Sequence, residues 1–318
     1  MKRGALYPPI EPFDVGMLSV SELHGIYYDQ CGNPSGRPVL FLHGGPGSSI
    51  SATHRRFFDP DHYRVILFDQ RGCGRSSQRG SIVENTTQHL VADIEKLRVK
   101  LSVERWVLFG GSWGSTLAMY YALQCRERVG GLILRGVFFV CARELQWFFQ
   151  DGADRIFPEE SERFKSVVPE GERHSIVAAY NRLLNSPSST EVETAAVAWC
   201  QWEAATSFLV PRREHVDKFA DPEVSIPFAK IECHYFANLG FFKGENEILS
   251  GAATLRGIPL RIVQGRYDLV CPMESAWLLH RALPDSKLSI VDEAGHSALE
   301  DAITAELVAA ADELRGIS

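Results

Sequence analysis

The chain has 318 residues, 45% apolar, 23% charged and 10% aromatic, with 33 basic against 40 acidic side chains and a net charge of −7. This composition excludes a disordered chain, and the acidic balance argues against nucleic acid or an anionic membrane as the main partner. Seven cysteines, odd in number and nowhere in a C-x-x-C spacing, give neither a zinc site nor a disulfide framework; the expectation is a reduced, cytoplasmic protein without metal or cofactor.

Residues 1–14 carry Pro8, Pro9 and Pro12 and no apolar run of signal-peptide length, and no later segment approaches the roughly 20 apolar residues of a membrane span. Short β-rich runs then alternate with helical stretches. Strands are predicted at 39–42, 64–68, 106–109 and 131–136, and each of the first three runs into a glycine-bearing turn: His43-Gly44-Gly45-Pro46-Gly47, Asp69-Gln70-Arg71-Gly72-Cys73-Gly74 and Gly110-Gly111-Ser112-Trp113-Gly114. From 138 to 255 the spacing is helical without clear strands, broken at Pro158, Pro169, Pro187, Pro211 and Pro227. Alternation resumes with strands at 259–264 and 288–291 and helices at 276–281 and 302–315. The fold class is therefore α/β, a mostly parallel sheet flanked by helices. The catalytic part is expected to be discontinuous, 1–137 with 256–318, around an inserted helical cap over 138–255.

Gly110-Gly111-Ser112-Trp113-Gly114 fits G-x-S-x-G and lies between a predicted strand and a predicted helix, the context a nucleophile elbow requires. A serine hydroxyl needs a base to take its proton, and that base needs a partner to fix its tautomer. On this topology the order is Ser, acid, His. Asp268 follows one late strand and His296 the next, so Asp268 is the expected acid and His296 the expected base. His43, His54, His62 and His89 precede the serine and break that order, and His43 is expected to brace its glycine turn. The oxyanion donors are expected to be the backbone N–H of Trp113, which follows the nucleophile, and that of Gly44 or Gly45, with Gly45 favoured. Pro46 has no N–H to offer.

Two carboxylates in the insertion stand in apolar surroundings: Glu203 among Trp199, Trp202, Ala204 and Ala205, and Glu232 within Ile231-Glu232-Cys233-His234. Each either points to solvent or has a buried partner.

The chain resembles the proline iminopeptidases (prolyl aminopeptidases) of the α/β-hydrolase fold over nearly its whole length. The likeness rests on Tyr7-Pro8-Pro9-Ile10-Glu11-Pro12, the three glycine turns with Arg75-Ser76 and Ser115, Gly265-Arg266-Tyr267-Asp268 and Ala294-Gly295-His296-Ser297. It departs at Ser48 and Ser49, where further glycines would be expected, and at Gln124-Cys125-Arg126. The resemblance implies removal of N-terminal proline from short peptides through an acyl-enzyme, without metal. It also implies that Glu203 and Glu232 hold the substrate imino group, and that Phe138, Phe148, Phe236 and Cys271 contact the proline ring. Arg135 stands outside this assignment. Competing readings are a carboxylesterase or carbon–carbon bond hydrolase with the same triad, and a non-catalytic ligand-binding relative; Ser112 disfavours the carboxylate-nucleophile chemistry of dehalogenases and epoxide hydrolases.

Overall fold

In the computed structural model, which describes residues 5–316, the strands are β1 (Asp14–Ser19), β2 (Gly25–Gly32), β3 (Arg37–Leu42), β4 (Tyr63–Phe68), β5 (Trp106–Gly111), β6 (Val129–Arg135), β7 (Leu260–Gly265) and β8 (Lys287–Val291). The outermost residues of the expected catalytic part, 1–4 and 317–318, lie outside the described residues. The strands form one sheet in the order β1-β2-β4-β3-β5-β6-β7-β8. Only the β1–β2 and β2–β4 pairings are antiparallel; the remaining pairs are parallel. The central strands are unbroken runs of buried apolar residues, as Val39–Leu42 and Val107–Phe109 illustrate, because both faces of a parallel sheet are covered.

The helices before the last strands are α1 (Thr87–Lys100) and α2 (Trp113–Gln124), then α3 (Ala142–Leu145), α4 (Pro158–Ser166), α5 (Ile176–Leu184), α6 (Ser189–Thr206), α7 (Arg213–Lys218), α8 (Pro222–Ala237) and α9 (Glu247–Gly251). After β7 come α10 (Met273–Ala282) and, last, α11 (Asp301–Leu314). Between β6 and β7 the described residues contain helices and no strand. One face of the sheet packs against α1, α2 and α10 in an apolar core that continues into helices of the stretch between β6 and β7; the other packs against α11 and the 3₁₀ turn Ala52–Phe57. No helix among the described residues is long and apolar enough to cross a membrane.

The Asp69–Ser76 segment braces the loops above the sheet. Asp69 accepts the Ile50 N–H at 2.7 Å and the Arg75 N–H at 3.0 Å, and a Cβ at Gly74 would lie 2.5 Å from the Asp69 carboxylate. Arg71 forms a bidentate pair with Asp93 of α1, at 2.6 and 2.8 Å, with both side chains buried. Burial nevertheless pushes the Asp93 carboxyl upward against the pull of Arg71, so removing one partner strands a charge that the interior cannot solvate. Asp93→Asn is expected to lower stability by about 3–5 kcal/mol. Replacing the pair together, Arg71→Met with Asp93→Leu, is expected to cost much less, and urea denaturation of the three proteins checks both.

Candidate active site

Ser112 sits between the end of β5 and the start of α2 with φ 57° and ψ −128°, a strained left-handed turn that lifts its hydroxyl clear of the sheet. The turn is held by a hydrogen bond from its own N–H to the Arg135 carbonyl at 2.8 Å. It is also too tight for side chains on either side: a Cβ at Gly110 would lie 2.1 Å from the Gly114 carbonyl oxygen, and one at Gly114 would lie 2.1 Å from that of Leu42.

The loops after β7 and β8 bring Asp268 and His296 together. His296 Nδ1 is 2.9 Å from both Asp268 carboxylate oxygens. Asp268 is in turn fixed by the Cys271 N–H at 2.8 Å and by Gln264 Nε2 at 3.1 Å. An ionised Asp accepts only, so Nδ1 carries the proton and Nε2 presents a lone pair. That lone pair accepts a hydrogen bond from the Arg135 guanidinium at 2.9 Å. Ser112 Oγ lies 3.9 Å from Cys271 Sγ and makes no hydrogen bond to His296 among the described residues. Nucleophile–base contacts tighten on substrate binding. Asp292, the other acid near His296, is exposed and lies 3.5 Å from Arg266.

Burial lowers the His296 pKa from its ordinary 6.5; Arg135 adds to that effect and Asp268 opposes it. The imidazole is therefore neutral and able to accept a proton at neutral pH. On an N-acetylprolyl ester, which brings no cation to Glu203, the acid limb of kcat/KM is expected below pH 6.5, and Arg135→Met, which removes the neighbouring positive charge, is expected to move that limb upward. A pH–rate profile of both proteins is the check; superimposable limbs would contradict the electrostatic account.

The turn after β3 is tied to the elbow through one side chain. Gln70 Nε2 donates to the His43 carbonyl at 3.0 Å, and Gln70 Oε1 accepts the Trp113 indole N–H at 2.9 Å. His43 uses both ring nitrogens, Nε2 accepting the Gln70 N–H and Nδ1 donating to the Gly44 carbonyl, each at 3.0 Å. It braces its turn and has no lone pair to offer as a base.

Two cavities meet at Ser112 and Gly45. The first is narrow and lined by Phe138, Phe148, Phe149, Phe236, Val270 and Glu203, together with Leu145 and Glu144. Phe138 and Phe236 pack edge to face with centroids 5.7 Å apart. Val270 lines this cavity and Cys271 does not; Cys271 is buried, fixing Asp268 from beneath through its N–H. The second cavity, of about 230 Å³, is lined by Phe41, His54, Arg135, Glu203, Phe228 and His296 among others.

Three insertion carboxylates lie at or near the first cavity, and they differ in what remains unsatisfied. Both Glu144 oxygens are occupied, by the Phe139 and Cys141 N–H groups and by the Ser275 hydroxyl at 2.5 Å. Glu232 does not line the cavity; it is buried on α8 with Oε2 accepting the Trp199 indole N–H at 2.6 Å, while Oε1 has no hydrogen-bond partner among the described residues. Glu203, on α6, lines both cavities. Burial pushes its carboxyl up to about 8, and burial together with Glu203 pushes that of Glu232 well above its ordinary value, against the pull of the Trp199 hydrogen bond. A pair of buried carboxylates that resist ionisation makes a strong receptor for a cation, which supplies the missing countercharge.

Arg135 is the residue that sequence reasoning leaves out of this constellation and the structure places in it. The available signal is a lone charge closing the apolar run Leu132-Ile133-Leu134 at the end of β6, where a parallel sheet presents its chemistry.

Residues 37–303 match the family model described as the alpha/beta hydrolase fold. A probable proline iminopeptidase from Leptolyngbya boryana is 51% identical over 307 residues, covering 96% of each chain. A proline iminopeptidase from Arabidopsis thaliana is 48% identical over 318 residues, covering 100% of this chain and 84% of its own. Among solved structures, a bromoperoxidase from Bacillus anthracis superposes with a TM-score of 0.67 over 95% of this chain and 99% of its own at 19% identity, a likeness of fold alone.

Proposed function

The chain belongs to the proline iminopeptidases of the α/β-hydrolase fold, and from that membership we propose a residue-level account of how it releases N-terminal proline from peptides. His296 Nε2 takes the Ser112 proton as Oγ attacks the prolyl carbonyl. The Gly45 and Trp113 N–H groups hold the developing oxyanion. His296, oriented by Asp268, then passes the proton to the leaving amine, and a water repeats the sequence to free proline from the acyl-enzyme. Arg135 must release Nε2 before the first transfer, since a permanently protonated guanidinium cannot share that lone pair with Ser112.

Glu203 receives the substrate imino cation, with the unpartnered Glu232 oxygen adding negative charge behind it. Phe138, Phe148 and Phe236 enclose the pyrrolidine ring, and residues 138–255 act as the cap that closes over it. The seven unpaired cysteines support a reducing, cytoplasmic compartment.

The observation that carries this reading is the placement of Glu203 in an aromatic cavity that opens onto Ser112. An esterase acting on neutral acyl groups has no use for a carboxylate there. The test is turnover of prolyl, alanyl and N-acetylprolyl amides beside a simple ester. Strong preference for the unblocked prolyl amide is expected; equal use of the N-acetylated compound would reject the reading.

A further inference from the structure

The second cavity borders Ser112 and Gly45 but takes no part in enclosing the proline ring. Resting on the proposed account of proline release, we infer that this chamber binds the residue following proline and selects for an apolar, above all aromatic, side chain there.

The direction of the substrate follows from one positional fact. His296 lines the second cavity and not the first. The group that protonates the leaving nitrogen must face it. With the proline ring in the first cavity and the leaving nitrogen toward His296, the chain beyond that nitrogen runs into the second cavity.

The walls then set the preference. Phe41 of β3 stacks on the His54 ring at 4.4 Å with planes 18° apart, and on Phe109 of β5 at 5.4 Å, giving a continuous aromatic surface. Phe57 and Leu307, both buried, also line it. His54 Nδ1 accepts the Ser51 N–H at 3.1 Å, so the ring proton sits on Nε2, and burial with the nearby His43 and Arg135 holds the ring neutral, its pKa pushed down to about 3. His54 therefore presents an uncharged face and one N–H, which has no hydrogen-bond partner among the described residues and is available to a peptide carbonyl. The charged lining residues are Glu203, engaged with the imino group, and Arg135, whose positive charge repels a lysine or arginine side chain.

Moving an aromatic side chain from water onto such a surface is worth about one to two powers of ten in affinity. The experiment compares kcat/KM for Pro-Phe-NH₂, Pro-Gly-NH₂ and Pro-Lys-NH₂, with prolinamide, which carries no side chain beyond the leaving nitrogen, to report the proline site by itself. The phenylalanine peptide is expected to exceed the glycine peptide by about tenfold or more, with the lysine peptide no better than glycine. In His54→Ala the Phe-over-Gly ratio is expected to shrink, and in His54→Phe, which restores an aromatic face on Phe41, to recover. A Phe-over-Gly ratio below about tenfold in the parent, a lysine peptide preferred to glycine, or a ratio unmoved by His54→Ala would overturn the inference while leaving the proline reading intact. Failure to cleave prolinamide and all three peptides would reject the proline reading itself.

Discussion

Ser112→Ala is expected to lower kcat on a prolyl amide by about four to six orders of magnitude while leaving the fold unchanged. The size follows from the loss of the only atom able to form the acyl-enzyme; what remains is the rate that oriented N–H groups and substrate binding give to a direct attack by water. The preserved fold follows from what Oγ touches. Its neighbour is Cys271 Sγ at 3.9 Å, too weak a contact for its removal to matter, and alanine keeps the Cβ that the turn at φ 57° already accommodates. A change in stability within about 0.5 kcal/mol is therefore expected. Ser112→Val would be a poor substitute, since a β-branched residue at positive φ adds strain of its own.

The nearby thiol does not compromise this test. Burial, with Asp268 adding to it, pushes the Cys271 pKa well above its ordinary value, so the thiol stays protonated and cannot replace the missing nucleophile. The double variant Ser112→Ala/Cys271→Ser is expected to match Ser112→Ala, and residual activity that disappears only in the double variant would show the thiol acting. Thermal melts beside single-turnover assays separate loss of chemistry from loss of fold.

What could be read before the structure, and what could not, divides along physical lines. Strands β3, β4 and β5 announce themselves because each is a buried apolar run ended by a turn that only glycine permits; the Ser112 position follows from the end of β5, and the Asp268 and His296 positions from the ends of the later strands β7 and β8. Strands β1 and β2 stay hidden because β1 alternates half-buried and exposed residues at the sheet edge, and because β2 carries Asp29 and Gln30 in its interior. Asp29 is tolerated there only because Arg55, far along the chain, pairs with it at 2.7 Å. The same holds at the site. Gln70 reads as part of a glycine turn, yet its work is to join the residue after Ser112 to the turn after β3, a three-way contact with no periodicity to betray it. Arg135 belongs to the same class: it ends β6, and its meeting with His296 depends on the loop after β8, two strands away in the sheet, reaching back over β7. For Glu203 and Glu232 the sequence shows two carboxylates in apolar surroundings, and only packing distinguishes the one that faces the cavity from the one held behind it by Trp199.

That distinction leads to the second large effect. Glu203→Gln is expected to reduce kcat/KM for an unblocked prolyl amide by roughly two orders of magnitude or more, since removing one partner of a desolvated charge pair costs about 2–5 kcal/mol. An N-acetylprolyl ester, which brings no cation, should lose far less. Equal losses on both would mean that Glu203 supports the cavity without holding the imino group. The pH dependence sharpens the test. Burial pushes the Glu203 carboxyl up to about 8, and a peptide amino terminus loses its proton at about 8 as well. Productive association needs the carboxylate charged and the substrate protonated, so kcat/KM should pass through a maximum near pH 8, and Glu203→Gln should remove the Glu203-dependent rise on the acid side of that maximum. Stability must move in the opposite sense. A carboxyl whose folded pKa is raised from 4.5 to about 8 binds its proton more tightly in the folded state, so its contribution is complete below pH 4.5 and is lost as pH rises through 8. The glutamine variant, which never ionises, should therefore melt above the parent at pH 9 and gain little at pH 5. A protein less active on its cationic substrate yet more stable in alkali would identify Glu203 as a charge kept in the interior for binding, at the expense of the fold.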